Sequence, residues 1–331
     1  MGGGIAMCFI QKKIPVVLID AKQEWLDAGV KKIVGLYEAQ MKKKKMDMAK
    51  FRGLMKLLMP TLDYGMLKDV DIIIEAVPEI MSLKKDVFLK IEANSKPDAL
   101  ICTNTSGLNI DEIASVLKDP SRTMGTHFFS PANVMQLLEN VKISKSSPQS
   151  VATCMAMGKL ISKKAILVGN CAGFVGNRML APYSAEFRSM VENGAGIQEC
   201  DDAAKAFGMP MGPATLGDLV GLELFWKKRQ QLGDMKHEDK TSMGPYELTD
   251  WLCEKGRYGL KTPDKSIGAT GRGIFIYKGR DKVLDPEVVA KAAEIIKAKG
   301  IKGRTFTTEE MTDRMFFPLI NEGLKLCLFY F

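Results

Sequence analysis

Across the first 170 residues, short apolar runs alternate with longer polar stretches of helical spacing, and this alternation limits the fold more than any other feature. Val16-Val17-Leu18-Ile19-Asp20, Asp71-Ile72-Ile73-Ile74-Glu75-Ala76-Val77, Ala99-Leu100-Ile101-Cys102, Arg122–Phe129, Val134–Val141 and Ala165–Val168 read as strands. Met7–Lys13, a stretch running to about Lys45, Leu83–Ala93 and Ser147–Ser162 read as helices. Runs that are apolar at nearly every position suit strands buried on both faces. Strand–helix alternation predicts an α/β fold whose parallel sheet is covered on both sides. After Gly169 the texture changes: Phe174–Asn193, Gln198–Phe207, Ala214–Leu232 and Tyr246–Lys255 read as helices, punctuated at Gly208–Gly212 and Gly244-Pro245. A mostly α-helical second part is expected, with the boundary near Gly169. Lys261–Gly273 reads as a loop and Ile274–Tyr277 as a short apolar run.

At 331 residues the chain has room for about two domains. Its 46% apolar and 26% charged content excludes a disordered chain or a small disulfide scaffold. Seven scattered cysteines without a CxxC pair point to free thiols in a reducing compartment. With only His127 and His237 as histidines, no histidine metal site is expected. Lysine and arginine number 47 against 39 acidic residues, a net charge of +8. The surplus either serves solubility or suits a small anionic, phosphorylated ligand. No basic stripe interleaved with aromatics speaks for nucleic acid, and Lys42–Lys45 reads as a solvated helix face. No apolar run approaches the ~20 residues of a membrane-spanning helix, so no membrane partner is expected.

Two constellations carry chemistry. Met1-Gly2-Gly3-Gly4 opens a helix that leads to a strand ending at Asp20. Glycines at a helix start let backbone amides approach a pyrophosphate, and an acid at the following strand tip can take ribose hydroxyls. A solvated aspartate at a strand end is the alternative. In the second, Gly125-Thr126-His127-Phe128-Phe129-Ser130-Pro131 places His127 on an apolar strand, and Glu139 follows twelve residues later. A histidine with a carboxylate behind it can abstract a proton near neutral pH. From spacing alone, a hydrogen-bonded core histidine stays open. Asn177-Arg178-Met179-Leu180-Ala181-Pro182 is echoed by Asp313-Arg314-Met315-Phe316-Phe317-Pro318, either a chance match or an internal repeat.

Taken with Ile74–Val77, Met81-Ser82-Leu83-Lys84-Lys85, Cys102-Thr103-Asn104-Thr105-Ser106, Gly169-Asn170-Cys171, Gly173–Arg178 and Phe207–Pro213, these motifs resemble the L-3-hydroxyacyl-CoA dehydrogenases of fatty-acid β-oxidation. The resemblance spans nearly the whole chain and is strongest to the dehydrogenase portion of the bifunctional hydratase/dehydrogenases. It implies a Rossmann-like parallel sheet followed by a helical domain, NAD as cofactor and an acyl-CoA substrate. It implies His127 as general base, Glu139 as its orienting carboxylate, and Ser106 and Asn177 beside the reacting oxygens. On the cofactor side it implies Gly2, Gly4, Asp20, Glu79, Lys84, Asn104, Ser130 and Lys261. Ser130 stands where the family usually has asparagine, and Pro263–Thr270 interrupts the glycine-rich motif after Lys261-Thr262.

The family's first strand and its first two glycines would precede Gly2. Without that strand, its two neighbours are expected to show unpaired edges. A late start or a degenerate copy would give this result. The expected domains are 1–169 for NAD binding, 170–278 for the helical C-terminal domain, and 279–331 for a linker and a partial second helical copy. Two functions follow: an NAD-dependent dehydrogenase, or a catalytically impaired relative that binds acyl-CoA or a protein partner. The apolar tail Leu326–Phe331 leaves a homodimer or another contact open. The resemblance implies a peroxisomal location, with mitochondrion and cytoplasm as alternatives, since no targeting signal is read in the chain.

Overall fold

The computed structural model describes residues 1–232, 246–279 and 281–329; His237, Gly244-Pro245 and Tyr330-Phe331 lie outside the described residues. The chain forms two compact units, Met1–Val175 and a second from Gly176 onward. The first contains α1 (Gly2–Ile10), β1 (Val16–Ile19), α2 (Gln23–Lys42), α3 (Met48–Met55), β2 (Leu58–Thr61), β3 (Ile72–Glu75) and α4 (Met81–Asn94). It continues with β4 (Leu100–Thr103), α5 (Ile110–Ala114), β5 (Thr123–Phe128), β6 (Leu137–Lys142), α6 (Pro148–Leu160) and β7 (Lys164–Gly169).

The sheet of this unit is split. β1 bonds to β2, parallel, while β3-β4-β5-β6-β7 form a separate five-stranded sheet. Among the described residues no ladder joins β1 to β3, as the expected unpaired edges require. Helix α1 spans the division. Ile5, Cys8 and Phe9 pack with Ile72 and Ile74 of β3, while Ala6, Met7 and Ile10 pack with Val16 and Leu18 of β1. Its helix starts at Gly2 instead of Met7, because the glycines enter the first turn directly.

One strand pair departs from the all-parallel expectation: β5 and β6 are antiparallel. They are joined through the turn after Phe129, too short a connection for a parallel crossover. All six residues of β5 are buried. At Gly125 a side chain would bring its Cβ within 2.4 Å of Ile110 Cδ1 and 2.7 Å of Val141 Cβ. Gly125→Ala is therefore expected to destabilise the protein by about 1–3 kcal/mol through overpacking. A urea midpoint equal to wild type would contradict this.

The second unit holds α7 (Gly176–Glu192), α8 (Ile197–Phe207), α9 (Pro213–Val220), α10 (Glu223–Leu232) and α11 (Glu247–Glu254). A small antiparallel sheet, β8 (Gly271–Arg272), β9 (Phe275–Lys278) and β10 (Asp281–Leu284), precedes α12 (Pro286–Ala298) and α13 (Thr308–Phe329). The expected single helix Ala214–Leu232 is broken at Gly221, whose φ of 109° lies outside helical space. The sheet replaces part of the expected loop, since β9 is the apolar run at its end.

The echoed motifs lie on α7 and α13, the first and last helices described in this unit. Arg178 of α7 bonds Glu322 of α13 at 2.7 Å, and Arg314 of α13 bonds Glu186 of α7 at 2.9 Å. Each arginine reaches the carboxylate eight residues beyond its counterpart, so the helices exchange equivalent bonds. At the end of α13 Leu326 is buried, whereas Cys327 and Leu328 are exposed.

Buried Asp218 of α9 accepts from the amides of Ile274 and Phe275 and from the Tyr277 hydroxyl. Burial outweighs these bonds and pushes its carboxyl up to about 6. A folded value above the unfolded one means that the contribution to stability is present in acid. It is lost as pH rises from about 4 through 6, and amounts to about 3 kcal/mol. Wild type should therefore lose stability relative to Asp218→Asn over that interval. Urea unfolding at pH 4 and pH 7.5 checks this, and a pH-independent difference would contradict it.

Candidate active site

The antiparallel register sets His127 of β5 directly opposite Glu139 of β6. Opposed residues of such a pair project from the same face with Cβ atoms about 5 Å apart. His127 Nδ1 lies 2.7 Å from Glu139 Oε2. The histidine is 5% exposed and the glutamate 0%. Glu139 Oε1 accepts from the Val175 amide at 3.2 Å. The rings of Phe129 and Phe174 stand 4.5 and 5.5 Å from the imidazole and give it apolar walls. With Nδ1–H donated to the carboxylate, the lone pair falls on Nε2, which can accept a proton.

Neighbouring loops are tied to this pair. Asn104, just past β4, takes the Phe128 amide on its side-chain oxygen at 2.8 Å. Glu79 Oε1 accepts from Thr105 Oγ1 at 2.5 Å, the Ser106 amide at 2.9 Å and Ser106 Oγ at 3.3 Å. Burial opposes ionisation of Glu79, but these bonds and the nearby Lys84 ammonium outweigh it and hold its carboxyl below the ordinary range. Ser106 and Ser130 are exposed. Lys84 is turned inward, fully buried, onto Glu75. Asp111 accepts from the Ser144 amide and from Asn170 Nδ2, which anchors the segment running from β7 to Val175. Sequence reasoning passed over Glu75, Thr105 and Asp111. For Glu75 a signal existed, as an acid embedded in the apolar run Asp71–Val77.

At the start of α1, side chains on Gly3 and Gly4 would each approach a neighbour to 3.3 Å, Ile33 Cγ1 and Ala132 Cβ respectively. These glycines let the helix lie close to α2 and to the loop after β5. At Gly2 the nearest atom is Ala76 Cβ, at 4.0 Å. The first amides of a helix lack acceptors within it and attract anions. Half-buried Asp20 follows β1 and accepts the Ala21 amide at 2.7 Å. In the second unit, Asn177 lies in the first turn of α7, and Lys261 is exposed and donates to the Val220 carbonyl at 3.3 Å.

A proton acceptor backed by a buried carboxylate, in a unit with a glycine-opened helix and an acid at a strand tip, has the parts of a nucleotide-dependent dehydrogenase. Comparison with known proteins makes the class specific. The model of the 3-hydroxyacyl-CoA dehydrogenase NAD-binding domain matches residues 1–171, and that of the family's C-terminal domain matches residues 173–267. The chain belongs to the 3-hydroxyacyl-CoA dehydrogenase family. It is 38% identical over 337 residues to the human peroxisomal bifunctional enzyme, covering 98% of this chain and 45% of that protein. It thus spans about half the length of the curated relatives it matches. Among solved structures, M. tuberculosis FadB2 aligns with a TM-score of 0.75 at 30% identity, over 84% of this chain and 95% of that one. The dehydrogenase part of multifunctional enzyme 1 from C. elegans aligns with a TM-score of 0.68 at 29% identity, over 98% of this chain and 71% of that one.

The residues present fit parts of an NAD molecule. The α1 N-terminus, open at Gly2, suits a pyrophosphate, and the accessible carboxylate of Asp20 suits a ribose diol.

Proposed function

We propose that the chain oxidises the 3-hydroxyl of an L-3-hydroxyacyl-CoA to the ketone, as a step of fatty-acid β-oxidation. The observation that carries this reading is the buried 2.7 Å contact between His127 Nδ1 and Glu139 Oε2. His127 takes the hydroxyl proton at Nε2, and Glu139 fixes the tautomer and balances the imidazolium that results. Ser106 and Asn177 hold the substrate oxygens in register with that nitrogen. Bound NAD supplies the hydride acceptor. Gly2, Gly4, Asp20, Glu79, Asn104, Ser130 and Lys261 line its place. Residues 1–169 form the NAD-binding domain, 170–278 the helical C-terminal domain, and 279–331 a linker and the start of a second helical copy. The reciprocal Arg–Glu bonds of α7 and α13 support that last assignment. A peroxisomal location fits the names of the curated relatives.

The test is steady-state reduction of acetoacetyl-CoA by NADH. A rate no greater than that of His127→Ala would reject the assignment. The split sheet favours one other reading, acyl-CoA binding without turnover, because α1 and Asp20, assigned here to NAD, stand beside strands β1 and β3 that no ladder joins among the described residues. Calorimetric binding of a CoA ester without binding of NADH would select it.

A further inference from the structure

Glu75 ends β3 with its side chain fully buried, and the side chain of Lys84 from α4 is fully buried on it. Lys84 Nζ lies 2.9 and 3.2 Å from the two Glu75 oxygens and 3.2 Å from the Val77 carbonyl. Glu75 also takes the Val77 amide at 2.6 Å and Thr103 Oγ1 at 2.7 Å. Lys84 thus has its three protons engaged and no surface for a ligand. Its remaining anionic neighbour is Glu79 Oε2, at 3.6 Å. Glu79 holds Thr105 and Ser106 through its other oxygen. The same loop is tied at its root, where the Asn104 amide donates to the Glu75 carbonyl at 2.7 Å. A buried ion pair is weak evidence for stability, since apolar residues of like volume do as well. What this pair supplies is a fixed charge beneath Glu79.

We propose that Glu75 and Lys84 are positioning residues for Ser106, with Lys84 acting through Glu79 and not as a cofactor ligand. The effect on turnover rests on the substrate role given to Ser106 above; the positioning itself does not. The pair holds Glu79 in one place, and Glu79 holds both the amide and the hydroxyl of Ser106. Loss of the pair frees the loop while β5 and β6, which carry His127 and Glu139, keep their own ladder.

The experiment uses the 331-residue chain with Lys84→Met, Thr103→Val and Glu79→Ala. Thr103→Val removes one bond to Glu75 and no charge, and Glu79→Ala leaves the buried pair intact. Hydrogen exchange read by mass spectrometry on peptides covering 104–108 is expected to quicken about tenfold in Lys84→Met and Glu79→Ala, and less in Thr103→Val, with 123–128 unchanged. In acetoacetyl-CoA reduction, Lys84→Met and Glu79→Ala should lower kcat by about 10–100-fold and raise the KM for acetoacetyl-CoA, the scale of a small misplacement. For Lys84→Met the KM for NADH should rise less than in Glu79→Ala, which removes a residue assigned to the cofactor itself. Unchanged exchange at 104–108 in Glu79→Ala overturns the proposal, as does a rise in the KM for NADH alone in Lys84→Met. Exchange that quickens equally throughout the first unit also overturns it, by making the pair merely structural. If Lys84→Met does not fold, exchange at 104–108 in Thr103→Val and Glu79→Ala separates positioning from a structural role in the same way. If exchange responds as expected while wild type is inactive, the positioning stands and the assigned activity falls.

Discussion

His127→Asn is expected to lower kcat for acetoacetyl-CoA reduction by about 10²–10⁴-fold, the range over which a positioned acid–base group acts. Asparagine is the informative replacement. Its amide nitrogen stands near the position of Nδ1 and can donate to Glu139, so the buried carboxylate keeps a partner. The group at Nε2 is lost, and with it the proton acceptor. His127→Ala removes both, leaving Glu139 with the Val175 amide but without its partner across the strand. Breaking a buried pair from one side costs about 3–5 kcal/mol. The alanine variant should therefore be both inactive and less stable, and the asparagine variant inactive with near-native stability. The KM for NADH should change little in the asparagine variant, since the imidazole is assigned to the substrate hydroxyl. A His127→Asn protein that keeps a tenth or more of wild-type kcat would remove the histidine from the chemistry.

Glu139→Gln carries the second large effect. Glu139 receives N–H groups from His127 and from Val175, and the ionised carboxylate accepts both. Glutamine can accept only at its oxygen. If the oxygen faces Val175, the amide nitrogen meets His127 as a donor, Nδ1 must accept, and Nε2 carries the hydrogen. That tautomer cannot take a proton from the substrate. If the oxygen faces His127, two N–H groups meet at Val175, within a fully buried site. Both arrangements lower kcat, by about 10²–10³-fold within the range for general base loss. The first also leaves the fold intact, so stopped-flow turnover and thermal unfolding together distinguish them. Near-wild-type turnover in Glu139→Gln would mean that the carboxylate neither orients nor balances the imidazole.

Much of this arrangement was legible in the residues. The apolar runs at Val16, Ile72 and Leu100 announce strands because side chains buried on both faces leave no polar alternation to obscure them. His127 and Glu139 stood out as polar groups in such runs. Their contact was not legible from spacing, because it depends on β6 reversing direction, and a short turn does not declare which strand it will pair with. Gly221 was hidden inside a plausible helical pattern, since periodicity does not show a positive φ. The β8–β10 sheet was missed because two of its strands, Gly271–Arg272 and Asp281–Leu284, are short or charged. Lys84 was assigned to the cofactor side by resemblance; its inward turn is set by Glu75, a partner nine residues earlier and on a different element.

The mutual bonds of α7 and α13 fix the sense in which those helices run. Arg178 meets Glu322 and Glu186 meets Arg314, so the two segments lie head to tail. Were they aligned in the same direction, each cation would confront a cation and each anion an anion. Two helices that each bear one charge of each sign at this spacing therefore encode their own antiparallel mating, and reversing a single charge in either one sets like against like at one end. Only a matching reversal in the opposite helix restores the match, which ties any change in one motif to the other.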